Sequence, residues 1–283
     1  MNIVHAWSLR RIAHHLAVAA MLLCLPLLAG CPKEPVRPVD LPPATFADRW
    51  QAYTALNQNP VEDIQAFRIR ATLQYETPSN QGHRMTSVFW GNSDLPVRLD
   101  IFAGVGVMVA QIREDKRHFL LHMNEQQAAY AHQGANKPYI NIGTPLPFTL
   151  ERLADLLCGR FGDVFGYSAK QMDESGTQFV LDESAPVQGV LRLSEQGHVE
   201  YWSGSPPSGR PGGVGYGWVM DLDYAQDTPH LPRRITMRHE GGYSAMILVK
   251  SRDFPEPYTP DRLALDLPPQ VNIQELRAPE RQF

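Results

Sequence analysis

The sequence predicts a mainly β protein with a few α-helices, built on a single curved antiparallel sheet. Segments that alternate apolar and polar residues recur over 66–131 and again over 178–250. The turns between them are short, and they are polar or contain glycine, so there is no room for the helical crossovers of a parallel sheet. Two segments instead carry apolar residues at helical spacing. The sequence therefore predicts one domain over residues 45–283, in which helices pack on a meander sheet.

Residues 1–30 have the pattern of an export signal. Arg10 and Arg11 precede an apolar segment at 16–30, and at about 15 residues this segment is too short to span a bilayer comfortably. The segment ends in Leu-Ala-Gly at 28–30 followed by Cys31, which resembles the lipobox of bacterial lipoproteins. Cys31 is therefore the expected lipid-attachment residue and the expected first residue of the mature chain.

Residues 31–44 form the expected tether between the lipid and the folded domain. Five prolines lie between residues 32 and 43, a density that favours extended polyproline II over packed structure. The whole chain has a net charge of −4, and loss of the leader, with its two arginines and no acid, lowers this to −6. A mildly acidic chain argues against a nucleic-acid partner, because binding to phosphates needs a basic face.

The first helix and the first strand follow the tether. Thr45 and Asp48 form a Thr-x-x-acid pattern that can cap a helix, and apolar residues at helical spacing continue until Pro60 ends the run. From residue 66 to 75 the period changes to two, which predicts a strand with one wet face. Further strands are predicted at 84–90, 97–102, 107–112, 118–123, 127–131, 178–182, 188–193, 198–202, 217–223, 233–239, 244–250 and, in the proline-rich tail, 270–274.

A second helix is predicted between these strands. Thr149 can cap it, Gly159 can close it, and the leucines between them share one stripe, so the helix is expected to pack on the sheet. Cys158 ends this stripe and is expected to be a buried free thiol rather than a nucleophile.

The usual chemical motifs are missing from the sequence. His118 and His122 lie four apart, but on a strand pattern without the Glu of a zinc-protease motif, and both are expected to be exposed. The glycine- and proline-rich loop at 203–217 matches no phosphate-binding fingerprint. There is no Gly-x-Ser-x-Gly and no Cys-x-x-Cys. We therefore expect no catalytic residues, no metal, no cofactor and no enzymatic activity.

Several short motifs together resemble the LolB family of outer-membrane lipoproteins. They run in order along 45–253: WQAY (50–53), IRATL (69–73), VFW (88–90), LDIFAGVG (99–106), TPLPFTLERLADLLCG (144–159) and the segment 231–253. The resemblance implies an incomplete antiparallel β-barrel lidded by helices, with an apolar cavity that takes acyl chains. It also implies a lipid anchor in the outer membrane, facing the periplasm, and transfer of acylated lipoproteins or lipids from a periplasmic carrier protein.

The candidate residues for binding acyl chains are apolar strand residues. Periodicity alone does not decide which strand face lines a cavity and which packs under a helix. The candidates are Phe67, Ile69, Leu73, Tyr75, Phe89, Trp90, Leu99, Ile101, Phe119 and Leu121. The resemblance further implies that Val105, between Gly104 and Gly106, is the apolar tip of a membrane-contacting loop; the alternative is a tight turn whose valine folds into the core.

A second function is compatible with the same sequence. The fold can serve as a non-enzymatic envelope scaffold that binds proteins on its surface while its interior is filled by side chains. Uptake of an acyl chain distinguishes the two functions, since a filled interior takes up none.

Overall fold

The computed structural model describes residues 45–58, 64–79, 81–94, 96–104, 106–133, 147–171, 173, 175–205 and 217–276. Its helices are α1 (Phe46–Gln58), α2 (Leu150–Leu157), α3 (Phe161–Phe165) and α4 (Pro260–Leu263). Its strands are β1 (Ala66–Glu76), β2 (Gly82–Asn92), β3 (Val97–Ala103), β4 (Val107–Glu114), β5 (His118–Met123), β6 (Ala128–Gln133), β7 (Ala169–Gln171), β8 (Gln178–Leu181), β9 (Gln188–Leu193), β10 (Val199–Ser205), β11 (Trp218–Ala225), β12 (Thr228–His239), β13 (Ser244–Asp253) and β14 (Asn272–Glu275).

All the described strands belong to one curved sheet that does not close into a barrel. The order is β14-β6-β5-β4-β3-β2-β1-β13-β12-β11-β10-β9-β8-β7, so β14 and β7 are its edges. This confirms the predicted fold class. One detail is different: β14 pairs parallel with β6, whereas the other pairs are antiparallel. The parallel pair arises because the chain after β13 crosses the sheet before it adds its last strand.

The alternation in β1 assigns the two faces of the sheet. Phe67 and Ile69 are fully buried, whereas Arg68 and Arg70 between them are exposed. We call the face that carries Phe67 and Ile69 the inner face, and the opposite one the outer face. The strand registers extend the inner face to Phe89 on β2, opposite Ile69. The apolar residues of the inner face form the core under the helices.

Helix α1 begins with the predicted capping arrangement. The backbone N–H of Thr45 donates to Asp48 Oδ2 at 2.9 Å, and the N–H of Asp48 donates to Thr45 Oγ1 at 3.3 Å. The hydrogen bonds with Thr45 lower the pKa of the Asp48 carboxyl. The buried side of α1 contains Tyr53 and also Arg49, which donates from Nη1 to the Leu193 carbonyl at 3.2 Å. A basic residue on the buried side was not expected from the apolar spacing.

Helix α2 packs against β3 and β12 with its leucine stripe buried, as predicted. The Thr149 side chain accepts a hydrogen bond from the N–H of Arg152 at 3.0 Å, which confirms the cap. Gly159 follows the helix with a φ of +74°, where a Cβ would lie 2.8 Å from the His230 carbonyl oxygen. The close approach between this turn and β12 therefore requires glycine.

The C-terminal tail lies on the outer face of the sheet. Arg98 on β3 donates to the carbonyl of Ala264, and Arg113 on β4 donates from Nε to the carbonyl of Leu263 at 3.1 Å. The chain then reaches the edge beyond β6, where it forms β14. Because this path crosses β5, His122 on the outer face is buried, and the expectation that it is exposed was wrong. His118 is exposed, as expected.

Candidate functional site

An apolar cavity of about 150 Å³ lies between the inner face of the sheet and the start of helix α2. Strands β1 to β5, together with β12 and β13, form its floor and walls. The segment that leads into α2 forms its cover. The lining residues are Leu73, Gln74, Tyr75, Met85, Phe89, Leu99, Ile101, Ile112, Glu114, Phe119, Phe148, Leu150, Leu153, Met237, Ala245, Met246 and Ile247.

The burial of the lining residues shows where the cavity opens. Tyr75, Met85, Ile101 and Met246 are only half-buried, and they lie towards the β1–β2, β3–β4 and β12–β13 turns. Leu73, Gln74 and Ala245, next to them on β1 and β13, are half-buried too, whereas the other lining residues, which include Phe89, are buried. The cavity therefore has a mouth at the turn end of these strands and a closed interior. The interior is not solidly filled by side chains.

Six of the ten residues expected to bind acyl chains line this cavity. They share the inner face of neighbouring strands, and the register brings them together: Leu73, Tyr75, Phe89, Leu99, Ile101 and Phe119. Phe67, Ile69 and Leu121 are on the same face but belong to the filled core and do not line the cavity. Periodicity identified the face correctly but could not locate the cavity along it.

Trp90 lies outside the cavity, contrary to expectation, because it follows Phe89 on β2 and so points to the outer face. Its indole Nε1 donates to Asp100 Oδ2 at 2.8 Å, and the guanidinium of Arg98 lies 4.8 Å from its ring centroid. The ring of Tyr258 meets it edge-on at 5.3 Å. Trp90 therefore holds the C-terminal tail on the sheet.

Sequence reasoning missed the part of the wall that comes from other elements. Phe148, Leu150 and Leu153 cover the cavity from α2 and the segment before it, and Met237 and Ile247 approach from β12 and β13. The leucine stripe of α2 was a usable signal for a buried helix face. No signal in the sequence indicated which strands that face would cover.

A carboxylate lies in the buried wall of the cavity. Glu114, at the end of β4, is fully buried, and its Oε2 accepts a hydrogen bond from the N–H of Leu150 at 3.0 Å. Leu150 is the first residue of α2, so the carboxylate meets the positive end of the helix dipole. This contact joins α2 to the sheet at the interior of the cavity.

A second, larger cavity of about 250 Å³ lies at the other end of α2. Its lining includes Arg160, Asp163, His198 and His230 as well as apolar residues. Burial and the neighbouring His230 lower the pKa of His198. Water solvates such charged and polar groups, so this cavity is the less suitable of the two for a hydrocarbon chain, despite its greater volume.

Cys158 borders the second cavity as a free and buried thiol, as expected. Burial raises its pKa to about 12. A thiol with so high a pKa is almost entirely protonated at neutral pH and is a poor nucleophile.

Two of the expected functional residues lie outside the described part of the chain. These are Cys31, together with the leader and tether at 1–44, and Val105. Gly104 and Gly106, which flank Val105, have φ values of +52° and +79°, and Val107 is 66% exposed. Most of the loop at 203–217 is likewise outside the described residues.

Two further properties concern the described residues only. None of the four helices in this part of the chain is long and apolar enough to cross a bilayer. Within the same residues, no three histidine, cysteine or acidic side chains come together as a metal site would require.

Comparison with known proteins gives a likeness in structure only. No family model and no curated protein matches the chain. Among solved structures, a DUF1329 family protein from Desulfovibrio piger superposes with a TM-score of 0.50 at 6% identity, covering 78% of this chain and 98% of its own. The two proteins therefore share a fold, and at this identity the likeness shows nothing more.

Two other solved structures are more distant. A LolA superfamily protein from Nitrosomonas europaea has a TM-score of 0.47 at 11% identity, covering 78% of this chain and 98% of its own. A domain described as an outer-membrane lipoprotein-sorting protein, from Vibrio parahaemolyticus, has a TM-score of 0.44 at 7% identity, covering 77% and 95%. At these scores the likeness does not support an inference about function.

Proposed function

We propose that the protein is a non-enzymatic, lipid-anchored envelope protein that binds acyl chains of lipoproteins or lipids in the apolar cavity and delivers them to the outer membrane. The observation that carries this proposal is the cavity itself. It is apolar, it is closed at one end, and half-buried residues such as Tyr75, Met85 and Ile101 surround its mouth. An enclosed, mainly apolar site with a mouth suits a hydrocarbon chain better than any polar ligand.

Such a transfer needs no nucleotide. Each methylene group that leaves water gains about 0.8 kcal/mol, so a chain moves to whichever site buries more of it. Only the difference in affinity between donor, cavity and membrane drives the exchange. The proposed donor is a periplasmic carrier protein, and the proposed acceptor is the outer membrane.

The location is proposed from the sequence. Cys31 would carry the lipid, and the proline-rich segment after it would link this lipid to the domain. The residue after Cys31 is Pro32 and not the aspartate that resembles an inner-membrane retention signal. These features favour an outer-membrane protein that faces the periplasm.

Displacement of a fluorescent fatty-acid probe tests the binding function. The mature chain with Cys31→Ser, residues 31–283, avoids detergent because it carries no lipid. We expect saturable probe uptake that Ile101→Glu abolishes, because the carboxylate would stand at the mouth of the cavity. Ile273→Glu is the matched control, since Ile273 is exposed on β14 and does not line the cavity. Absence of uptake by the parent chain would reject the proposal.

The scaffold function is the second candidate, and one observation favours it. Much of the inner face is filled by large buried side chains, among them Trp202, Tyr53 and Phe165. If the remaining cavity also stays empty of ligand, the domain offers only its surface to a partner. Failure of probe uptake combined with a stable complex with another envelope protein would support the scaffold.

A further inference from the structure

The volume of the apolar cavity limits how much of a chain it can hold. Apolar cavities of about 150 Å³ take up one benzene molecule, which has six carbon atoms. This cavity has the same volume of about 150 Å³. A complete long acyl chain has more than twice as many carbons, so only part of one chain fits.

Aromatic packing closes the interior of the cavity. Phe148 forms part of the wall, and behind it lies the ring of Trp202, at a centroid distance of 5.2 Å. Trp202 is fully buried, and the ring of Phe165, also fully buried, lies 6.4 Å from it. Since protein interiors are close-packed, Phe148 has no space into which it can retreat. The cavity therefore cannot lengthen in this direction without unpacking the core.

The interior of the cavity is unsuitable for the acidic end of a fatty acid. Its buried wall is mainly apolar, and the acidic residue in that wall, Glu114, already accepts a hydrogen bond from the N–H of Leu150. A carboxylate that entered would lose its hydration without gaining equivalent hydrogen-bond partners. The polar end of a ligand must therefore stay at the mouth, near Tyr75 and Met246, where the lining residues are half-buried.

We propose that the cavity receives the methyl end of a single acyl chain to a depth of about six carbons, and that Phe148 sets this depth. This inference rests on the proposed function, because it concerns the same cavity. The rest of a longer chain lies outside, against the rim. The substrate class is thus defined by the chain end and not by the total chain length.

A chain-length series tests this depth. Saturated fatty acids of increasing length are titrated calorimetrically into the mature Cys31→Ser chain, below their aggregation concentrations. Each added carbon should lower the dissociation constant about fourfold while it enters the cavity. About six carbons enter the cavity and about two more lie at its mouth, so the gain in affinity should stop at a chain length of about eight carbons.

Variants of the cavity wall test which residue sets the chain length at which the gain in affinity ends. Phe148→Ala should move the break to chains at least about three carbons longer, because it vacates the space of one ring and the cavity collapses only partly. Phe161→Ala is the matched control: it removes the same ring from the wall of the second cavity and should leave the break unchanged. Ile101→Phe, at the half-buried mouth, should shift the break to shorter chains, because the larger side chain occupies part of the cavity.

The outcomes separate the two proposals. A fourfold gain that continues to the longest chains, or a break that moves with Phe161→Ala, overturns the depth limit but leaves acyl binding intact. Failure to bind any chain length overturns the proposed function itself. If Phe148→Ala does not fold, the parent series and Ile101→Phe still decide the question.

Discussion

Arg160 donates two hydrogen bonds to the same carboxylate oxygen of Asp155, from Nε at 2.9 Å and from Nη2 at 2.6 Å. Asp155 is the only acidic residue of α2 that is buried, and Arg160 lies just beyond the helix. The pair therefore fixes the turn between α2 and α3. Burial nevertheless raises the pKa of the Asp155 carboxyl to about 6, against the opposing effect of Arg160.

This raised pKa predicts a stability that falls as the pH rises. Between about pH 4 and 6 the folded protein holds a proton on Asp155 that the unfolded chain has already released, so the free energy of unfolding decreases across this window, by about 3 kcal/mol at most. Asp155→Asn should flatten the profile, as measured by urea unfolding at pH 4, 5 and 6.5. Asp223→Asn, which removes a carboxylate that is 54% exposed and pairs with Arg234, should keep the parent slope. An unchanged slope in Asp155→Asn would show that Asp155 is not the group responsible.

The proposed membrane-contacting loop makes a second prediction. Val105→Glu should leave the fold intact, as measured by circular dichroism, but should slow transfer of a fluorescent acyl chain from the protein to liposomes. A charge at an apolar tip opposes insertion into the bilayer. Val105→Leu adds one methylene and should raise membrane affinity about fourfold. Equal transfer rates for Val105→Glu and the parent would remove the loop from the mechanism.

The attachment of the C-terminal tail to the outer face of the sheet should depend on Leu263, which is 0% exposed. Leu263→Ala should lower the free energy of unfolding by about 2–5 kcal/mol and expose the tail to limited proteolysis. The control is Ile273→Ala, because Ile273 lies on the same tail but is 55% exposed. If both variants resist protease equally, the tail is held by its polar contacts alone.

Two glycines with similar φ values make it possible to measure the stability cost of steric crowding apart from the cost of backbone strain. Gly197 and Gly106 have φ values of +82° and +79°. A Cβ on Gly197 would lie 2.3 Å from the backbone nitrogen of Tyr53, whereas one on Gly106 would meet nothing within 4 Å.

Gly106→Ala should therefore lower the free energy of unfolding only by the backbone strain, which is about 1–2 kcal/mol. Gly197→Ala should cost about 1–3 kcal/mol more, because it pushes α1 away from the sheet. Thermal unfolding of the two variants measures the difference. Equal losses of stability in the two variants would mean that α1 can move away from residue 197 without an energetic cost.

The strands could be predicted from the sequence because the alternation of apolar and polar residues within each strand reflects which of its faces is buried. The alternation in β1 separates Phe67 from Arg68, and the same rule places Leu73 and Tyr75 on the face that carries the cavity. Helix α2 was predictable for the same reason, since its cap and its leucine stripe are local. Strand β7 and helix α3 escaped prediction because three and five residues are too few to show a period.

The rest depends on contacts between distant residues. Nothing near Trp90 in the sequence indicates that Tyr258 will cover it, so only the register of β2 shows that Trp90 faces away from the cavity while Phe89 faces it. Phe148 lines the cavity because the helix that follows it, α2, packs on β3, which no pattern within either segment encodes. The burial of His122 likewise follows from the path of the tail.

The pairing of β14 with β6 has a consequence for the order of events when the chain is made. Asn272 pairs with Ala128, so this border of the sheet is completed by residues that leave the ribosome long after their partners. Until then β6 presents the backbone groups on that side to any extended segment nearby, including one from another molecule. The last strand thus covers the exposed edge of β6. A chain cut short before residue 272 would be prone to self-association even though it keeps all of the described core residues except Leu276.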